Sequence, residues 1–431
     1  MNNNKEICLL NDSFPPQIDG VANTVVNYAR VLRSEGKPVS VVTPNLPEAD
    51  DSGFDYPVIR YPSVDLREYI GYTVGNPFSI STLSDINKRD IGLLHSHCPM
   101  MSNMVARSLK ASLHVPLILT YHTKFDIDIA NVVKLKGIQQ GVIKAMIDNV
   151  SAADELWVVS DGAGKNIQNL GYEGSYVVMP NGVDIPKITR DRKEIAAEVK
   201  GVDIPEGMPV FLLVGRLMWY KGIRIILDAM AALKSQNLDF RMVFIGSGGD
   251  EAEVKRYVEE LKLGDRVIFT GAIHDRELLT AWYCRADLLL FPSTYDTNGL
   301  VVREAAACGL GSVLVKGSCA AEGVTNGVDG LLIDENAASL AVCLARIMDS
   351  REAMGRIGQN ASDNLYYSWD DSVKHAMERY DIVIDKFNSG RYRKRKKLTD
   401  ASFRLSADIV EMMTYLREQR RSLGEFFDRY W

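Results

Sequence analysis

Two acidic residues lie on either side of a glycine that separates a strand end from a helix start. Asp296 falls in the loop after a buried strand, and Glu304 follows it with seven residues in between, two turns into the helix. The N–H groups near Gly299, Leu300 and Val301 would lie at the helix N-terminus, which readily binds phosphate. Both carboxylates could then accept hydrogen bonds from sugar hydroxyls of one ligand. A solvated loop acid and a helix-surface glutamate are the alternative interpretation.

The elements that must position these residues alternate along both halves of the chain. Short apolar runs that indicate buried parallel strands are separated by amphipathic helical patterns. This alternation predicts an α/β protein with two Rossmann-like, doubly wound domains. Ligands bind such folds outside the carboxyl ends of the strands, and we expect a cleft between the domains there. The predicted strands are Ile7–Leu10, Val39–Thr43, Gly92–His95, Leu117–Thr120, Glu155–Val159, Ser175–Met179, Val210–Val214, Arg241–Ile245, Val267–Thr270, Leu288–Phe291, Gly311–Val315 and Gly330–Ile333, and the predicted helices include Thr24–Ser34, Asn103–Leu113, Ile223–Lys234, Ala252–Leu261 and Arg276–Tyr283.

A polar stretch with three prolines, Asp184–Pro209, indicates the connection between the halves. We predict a first domain over residues 1–186, completed by a returning helix near 370–390. A linker over 187–207 and a second domain over 208–369 follow. Residues 391–431 are predicted to form a basic run and a heptad-patterned helix.

Composition and charge limit the class of protein. Apolar residues at 46% and charged residues at 25% are typical of a globular protein. Six cysteines without paired spacing, no secretory signal and no apolar run of about 18 residues predict a cytoplasmic protein, with the inner face of the cell membrane as a further expected location. Residues 391–431 carry a net charge of +5 and the rest −11, which argues against nucleic-acid binding and for an anionic partner of the tail.

The segment FPSTYDTNGLVVREAAACG, residues 291–309, resembles the carboxylate pair of the family 4 retaining glycosyltransferases, which have the GT-B fold. In that family the later acid holds the ribose of the nucleotide sugar and the earlier acid holds hydroxyls of the donor sugar. The resemblance gives these roles to Glu304 and Asp296, and it places Asn298 with the start of the helix at the donor. Asp296 replaces the usual Glu and Asn298 a common Phe, and the shorter carboxylate bears on which sugar is bound.

Two cations are implied by the segment VGRLMWYKG, residues 214–222, which is similar to the family's diphosphate-binding segment. There Arg216 would bind phosphate oxygens in a bidentate manner and Lys221 would add a compact charge. Both would stabilise the charge that develops as the glycosidic bond breaks. Surface charges are the alternative. The strip Thr270–Ile273 resembles the backbone that faces the base, which places Ile273 at the donor.

The first half contains further matches to the family. The segment FPPQIDG, residues 14–20, lies where the family has a glycine-rich loop, so Gly20 is expected at the donor and Asp19, in place of a second glycine, on the acceptor side. His122 in Tyr121–Thr123 resembles the active-site histidine near the 6-hydroxyl of the donor sugar; a histidine bonded to the backbone at a strand end is the alternative. His97 is expected on the acceptor side. The matches run in the family's order from about residue 7 to 385.

Some motifs do not indicate a site. Residues 162–165, GAGK, lack the spacing of a P-loop, and no G-x-G-x-x-G follows the first strand. His95, His97 and Cys98 could be metal ligands, but zinc would need further well-placed ligands. We therefore expect no metal and no cofactor apart from the nucleotide sugar that serves as donor.

The C-terminal tail has a heptad seam. Apolar residues recur in steps of four and three, which favours a coiled-coil partner and a homo-oligomer through residues 405–430, with packing on the chain's own body as the alternative. The basic run Arg391–Lys397 could bind anionic lipid or be solvated. The seam comprises Leu405, Ile409, Met412, Leu416, Leu423, Phe426 and Tyr430.

The resemblance implies that a sugar is transferred from a nucleoside diphosphate with retention of the anomeric configuration. The segments NDSFPPQIDGVANTV, HSHCP and TYHTKF are most similar to the diacylglycerol glucosyltransferase-like branch. This suggests glucose, UDP and a membrane lipid such as diacylglycerol. A soluble small molecule or a growing glycan is the alternative acceptor. A nucleotide-sugar epimerase and a noncatalytic sugar-nucleotide binder are the alternatives from other classes.

Overall fold

The computed structural model describes residues 5–392 except 18, 68–72, 134 and 203. These residues form two compact units. Within the described ranges, the first comprises residues 5–159, Ala163–Pro180 and residues 369–392, and the second comprises Ser160–Gly162 and Asn181–Ser368. The predicted heptad seam and nearly all of the basic run fall in 393–431, outside the described residues.

The first unit is built around one parallel sheet. Its elements are β1 Glu6–Leu10, α1 Gly20–Ser34, β2 Val39–Pro44, β3 Val58–Tyr61, β4 Ser63–Asp65, β5 Thr73–Gly75, α2 Ile80–Asn87, β6 Ile91–Ser96, α3 Met101–Leu113, β7 Leu117–Tyr121, α4 Phe125–Val132, α5 Lys136–Val150, β8 Glu155–Val158, α6 Asp161–Asn169, β9 Tyr176–Val178 and, far along the chain, α14 Trp369–Asn388. The strand order is β3-β2-β1-β6-β7-β8-β9, and β4 and β5 form a separate antiparallel pair. The strand order therefore reverses between β1 and β6. Ligands bind at such a switch point in open α/β sheets.

The second unit repeats this plan with six parallel strands. Its elements are α7 Arg192–Ala196, β10 Val210–Val214, α8 Ile223–Ser235, β11 Arg241–Ile245, α9 Glu251–Glu260, β12 Val267–Gly271, α10 Arg276–Arg285, β13 Leu288–Phe291, α11 Leu300–Ala307, β14 Ser312–Val315, β15 Leu331–Ile333, α12 Ala337–Ile347 and α13 Arg351–Asn364. The order is β12-β11-β10-β13-β14-β15. Here the strand order reverses between β10 and β13. Because these two strands are adjacent and parallel, the loops that follow them are neighbours.

The predicted fold class is confirmed, since both sheets are parallel and flanked by helices. The strands at the sheet centres were predictable because both of their faces are covered, which requires continuous apolar runs such as Phe211–Val214. Strand β3 was missed because its sequence, VIRY, contains an arginine and is only half-buried. The short pair β4 and β5 was missed as well, since each strand has only three residues.

Helix α14 joins the first unit through an ion pair with strand β8. Arg379 donates two hydrogen bonds of 2.7 Å to the carboxylate of Glu155, whose side chain is only 9% exposed. Next to this pair, the rings of Tyr380 and Trp157 stack with centroids 5.4 Å apart. A buried carboxylate is costly without a cation, so this pair fixes where the helix packs.

We predict that Arg379→Ala destabilises the protein by about 3 kcal/mol, because Glu155 then remains charged and buried without its bidentate partner. The matched control is Lys374→Ala on the same helix, which breaks an exposed pair with Glu35 and should cost less than about 1 kcal/mol. Urea unfolding followed by tryptophan fluorescence measures both. Equal losses for the two variants would show that the Glu155 pair does not fix the helix.

Candidate active site

The loop between β13 and α11 ends in a glycine that determines how the helix begins. Gly299 has φ +59°, and a Cβ at this position would lie 2.8 Å from the Cβ of Ala320. A side chain is therefore excluded both by the backbone conformation and by the neighbouring turn. Without a side chain, Gly299 cannot cap the helix, and the first N–H groups of α11, those of Leu300 and Val301, can interact with a ligand.

Glu304 lies in the second turn of α11 and is held by helix α10. The Tyr283 hydroxyl donates a 2.8 Å hydrogen bond to Oε2, and Nη1 of Arg276 lies 3.6 Å from Oε1. The carboxylate is 15% exposed. Burial raises the pKa of Glu304, while Tyr283 and Arg276 act in the opposite direction. Neither of these two partners was predicted from the sequence, because they lie on another helix.

Asp296 pairs directly with Lys221. The Lys221 ammonium donates to Oδ1 of Asp296, which joins the loops after β10 and β13. The Lys221 side chain is 12% exposed and that of Asp296 21%. The other carboxylate oxygen, Oδ2, is buried and has no hydrogen-bond partner within the described ranges. The pair therefore leaves one strong acceptor for a ligand.

Main-chain packing at glycines brings these loops together. A Cβ on Gly222, whose φ is +79°, would lie 2.4 Å from the carbonyl oxygen of Pro292 at the end of β13. A Cβ on Gly246 would lie 2.0 Å from the carbonyl oxygen of Gly215. The Asp250 side chain completes the contact by accepting a 2.8 Å hydrogen bond from the Trp219 N–H. The loops after β10, β11 and β13 thus pack backbone against backbone.

Arg216 follows β10 and is exposed. Its carbonyl oxygen accepts a 2.9 Å hydrogen bond from the Met218 N–H, which fixes the turn. Its guanidinium forms no ion pair with another residue in the described part of the chain, so an anionic ligand would not have to displace a carboxylate. Ile273 follows β12, the strand at one edge of the sheet, and packs against the apolar cluster beside it.

Several buried polar atoms in the loops after β13 and β14 and on α11 lack a hydrogen-bond partner within the described ranges. In native structures such atoms are few, and their clustering is typical of a site that a polar ligand or water completes. Sequence reasoning missed the two serines among them, although each follows a buried strand. The atoms are Ser293 Oγ, Asp296 Oδ2, Asn298 Nδ2, Arg303 Nε and Ser318 Oγ.

In the first unit, the loop after β1 caps two helices. Oδ1 of Asp19 accepts hydrogen bonds of 2.8 and 2.7 Å from the N–H groups of Val21 and Ala22, so Asp19 caps α1, of which Gly20 is the first residue. Asp12 accepts hydrogen bonds of 3.0 and 2.7 Å from the N–H groups of Met101 and Ser102 at the start of α3. Sequence analysis did not single out Asp12, because its partners lie almost ninety residues away.

Two histidines predicted for the site are in contact. Nδ1 of His97 lies 3.1 Å from Nε2 of His122, and the rings stack with centroids 5.3 Å apart. Burial lowers the pKa of His122 to about 3 and that of His97 well below its usual value, so both rings are neutral. One of the two nitrogens donates to the other. The Nε2 atom of His97 is buried and has no partner within the described ranges.

The third histidine of this region belongs to the core. Nδ1 of His95 lies 2.6 Å from the Tyr380 hydroxyl and Nε2 lies 2.7 Å from the Thr120 hydroxyl. Both ring nitrogens are therefore used. Among the described residues, no group of three or more His, Cys, Asp or Glu side chains could hold a metal ion.

Two family models match the chain one after the other. Glycosyltransferase Family 4 matches residues 18–187, and Glycosyl transferases group 1 matches residues 194–364. Together with the two parallel sheets, these matches define a glycosyltransferase of the GT-B type. The chain belongs to glycosyltransferase family 4.

Two named relatives and one solved structure are similar to this chain. An alpha-monoglucosyldiacylglycerol synthase of Streptococcus pneumoniae is 24% identical over 70% of this chain and 69% of its own length. The protein of the same name from Acholeplasma laidlawii is 22% identical over 89% and 98%, respectively. The fold is similar to that of Anabaena HepE in complex with UDP-glucose, with a TM-score of 0.67, 19% identity and coverage of 88% and 100%. No helix in the described ranges is long and apolar enough to cross a membrane.

We predict that Gly222→Ala destabilises the second unit by about 2 kcal/mol, because alanine is strained at this φ and its Cβ would clash with Pro292. The control is Gly249→Ala in the loop after β11, where the nearest atom to a new Cβ is 3.6 Å away. Calorimetric melting measures both variants. An unchanged melting temperature for Gly222→Ala would contradict the close packing of the two loops.

Proposed function

We propose that the chain is a retaining hexosyltransferase that moves glucose from UDP-glucose to the hydroxyl of a membrane lipid such as diacylglycerol. The observation that carries the proposal is the grouping of Lys221 and Asp296, on the two loops at the switch point of the second sheet, with Glu304 on the helix α11 that follows the second loop. The unpartnered Oδ2 of Asp296, the Glu304 carboxylate and the Lys221 ammonium match the hydroxyls and charges of a nucleotide sugar. The names of the Streptococcus and Acholeplasma relatives support glucose and a diacylglycerol-type acceptor, and the Anabaena complex supports UDP.

Each residue has a distinct part in the proposed donor site. Glu304 accepts hydrogen bonds from the ribose hydroxyls. The free Oδ2 of Asp296 accepts hydrogen bonds from hydroxyls of the transferred sugar. The side-chain amide of Asn298 donates a hydrogen bond to the same sugar. The diphosphate lies between the two cations, Arg216 and Lys221, and the first N–H groups of α11. Gly20 and Ile273 line the donor through their backbones.

The proposed chemistry needs no cofactor beyond the nucleotide sugar. The bond between the anomeric carbon and the diphosphate oxygen breaks, and the acceptor oxygen forms the new bond on the same face of the sugar. A leaving phosphate oxygen takes the acceptor proton. Arg216 and Lys221 stabilise the negative charge on the diphosphate, which is largest in the transition state.

The histidine pair has a polar role that does not require a charge. A neutral His122 can exchange hydrogen bonds with the 6-hydroxyl of the donor sugar, and its contact with His97 sets which ring nitrogen carries the proton. We assign His122 to catalysis, and His97 and Asp19 to the acceptor side. Because both rings stay neutral, their contribution should not change as the pH falls from 8 to 6.

Incubation with UDP-glucose and diacylglycerol vesicles, followed by NMR of the product, tests this function. We predict an α-glucoside, and that Arg216→Gln lowers kcat about 100-fold while KM changes little, because the lost contact acts on charge developed in the transition state. Arg256→Gln is the control, since Arg256 is an exposed arginine on α9.

Other outcomes would identify the rival functions. A β-glucoside would contradict retention, and an efficient soluble acceptor would replace the lipid. Interconversion of nucleotide sugars without transfer would indicate an epimerase. Donor binding without any turnover would indicate a noncatalytic binder.

The first unit has a surface suited to a lipid bilayer. Leu135 is 67% exposed and Ile138 53%, and the exposed Lys136 and Lys144 lie on the same segment. The sequence from Ile129 to Ile147 contains no acidic residue. Apolar side chains flanked by lysines favour the interface of an anionic membrane. This surface supports peripheral binding at the membrane where a lipid acceptor resides.

We predict that the double change Leu135→Ser and Ile138→Ser weakens binding to vesicles of phosphatidylglycerol and phosphatidylcholine at least about tenfold, because two apolar side chains no longer enter the bilayer. Vesicle sedimentation measures the binding. Transfer to a short-chain, soluble diacylglycerol should be unchanged. Val342→Ser, at a 50% exposed valine of the second unit, is the control. Unchanged vesicle binding of the double variant would show that this surface does not bind the membrane.

A further inference from the structure

Two opposing effects act on the ionisation of Glu304: burial, and the contacts with Tyr283 and Arg276. The Glu304 side chain is only 15% exposed, and burial favours the neutral acid. A neutral acid has lost one of its two acceptor oxygens, because its O–H becomes a donor. Ribose offers two adjacent hydroxyls, so the ionised form is the one suited to hold it.

Two residues on the same face of helix α10, Arg276 and Tyr283, contact the Glu304 carboxylate. Arg276 and Tyr283 are seven residues apart, which is two turns, so both point to the same neighbour. Tyr283 donates to one oxygen of Glu304 at 2.8 Å, and Arg276 lies 3.6 Å from the other. Since Tyr283 is fully buried and the pKa of its hydroxyl is raised well above the usual value, it remains a donor.

Asp184 is the remaining charged group at this place. Its Oδ2 lies 3.0 Å from Nη2 of Arg276, whereas Nη1 is the nitrogen nearest to Glu304. The negative charge of Asp184 raises the pKa of Glu304 and therefore adds to the effect of burial. Among the described residues, Arg276 is the cation that offsets both effects.

We propose that Arg276 and Tyr283 are positioning residues, which keep Glu304 ionised and oriented so that both of its oxygens accept hydrogen bonds from the ribose of the donor. The inference rests on the proposed donor site and extends it to helix α10. Arg276 acts through Glu304 and not on the reacting atoms. Its effect must therefore depend on pH in a way that a direct contact with the diphosphate would not.

The test is calorimetric titration of UDP-glucose, without acceptor, into the full chain between pH 5 and 8. The diphosphate diester of this probe does not titrate in that range. Removing the charge in Arg276→Gln raises the folded-state pKa of Glu304, so affinity is kept at high pH and lost as the pH falls. We expect the midpoint of this loss to rise by about one pH unit relative to the unaltered chain.

Three further variants make the result specific. Arg276→Lys should restore most of the original profile because it keeps the charge, and Tyr283→Phe should move the midpoint in the same direction as Arg276→Gln. Arg256→Gln, an exposed arginine on α9, should change nothing. Thermal melting of each variant shows that the titrated protein is folded.

The outcomes separate this inference from the proposed function. If the unaltered chain does not bind UDP-glucose at any pH, the proposed donor is wrong. If it binds, but Arg276→Gln has the same profile or loses affinity equally at every pH, the positioning role is wrong and the donor site stands. Failure of Arg276→Lys to restore the profile would also overturn the role of the charge.

Discussion

The contact between the loops after β10 and β13 is the constraint on which the proposed donor site in the second unit depends. Gly222 allows one backbone to touch the carbonyl of Pro292, and this contact brings Lys221 within hydrogen-bond reach of Asp296. The pair is largely buried, so each charge needs the other when no ligand is bound. A nucleotide sugar would bring both an anion for the lysine and hydroxyls for the carboxylate. Main-chain packing thus fixes the two loops, and the charges of Lys221 and Asp296 neutralise each other.

The two acids that recognise the donor in our account are supported differently. Asp296 pairs with a lysine from the next loop, whereas Glu304 is embedded beside core residues and depends on helix α10. One is positioned by a glycine contact and the other by a tyrosine and an arginine. This difference explains why a single segment, residues 291–309, is not sufficient to build the site. The loop after β10 supplies Lys221, and helix α10 supplies Tyr283 and Arg276.

Much of the fold was predictable from the sequence because buried parallel strands require continuous apolar runs. Strands β10, β11 and β13 have the predicted bounds. Local motifs also singled out Asp296 and Glu304, and their role at a donor site stays a prediction. Tyr283, Arg276 and Asp12 were not singled out, since their importance arises from partners distant in the chain. Nothing in the local sequence distinguishes Tyr283 from any other buried tyrosine.

A crystal structure with UDP-glucose tests the central claim most directly. We predict the ribose hydroxyls within about 3.2 Å of the Glu304 oxygens, glucose hydroxyls at Asp296 Oδ2, and the diphosphate against Arg216 and the start of α11. A nucleotide sugar that binds elsewhere on the chain, with the Lys221–Asp296 pair and Glu304 free of ligand contacts, would contradict it.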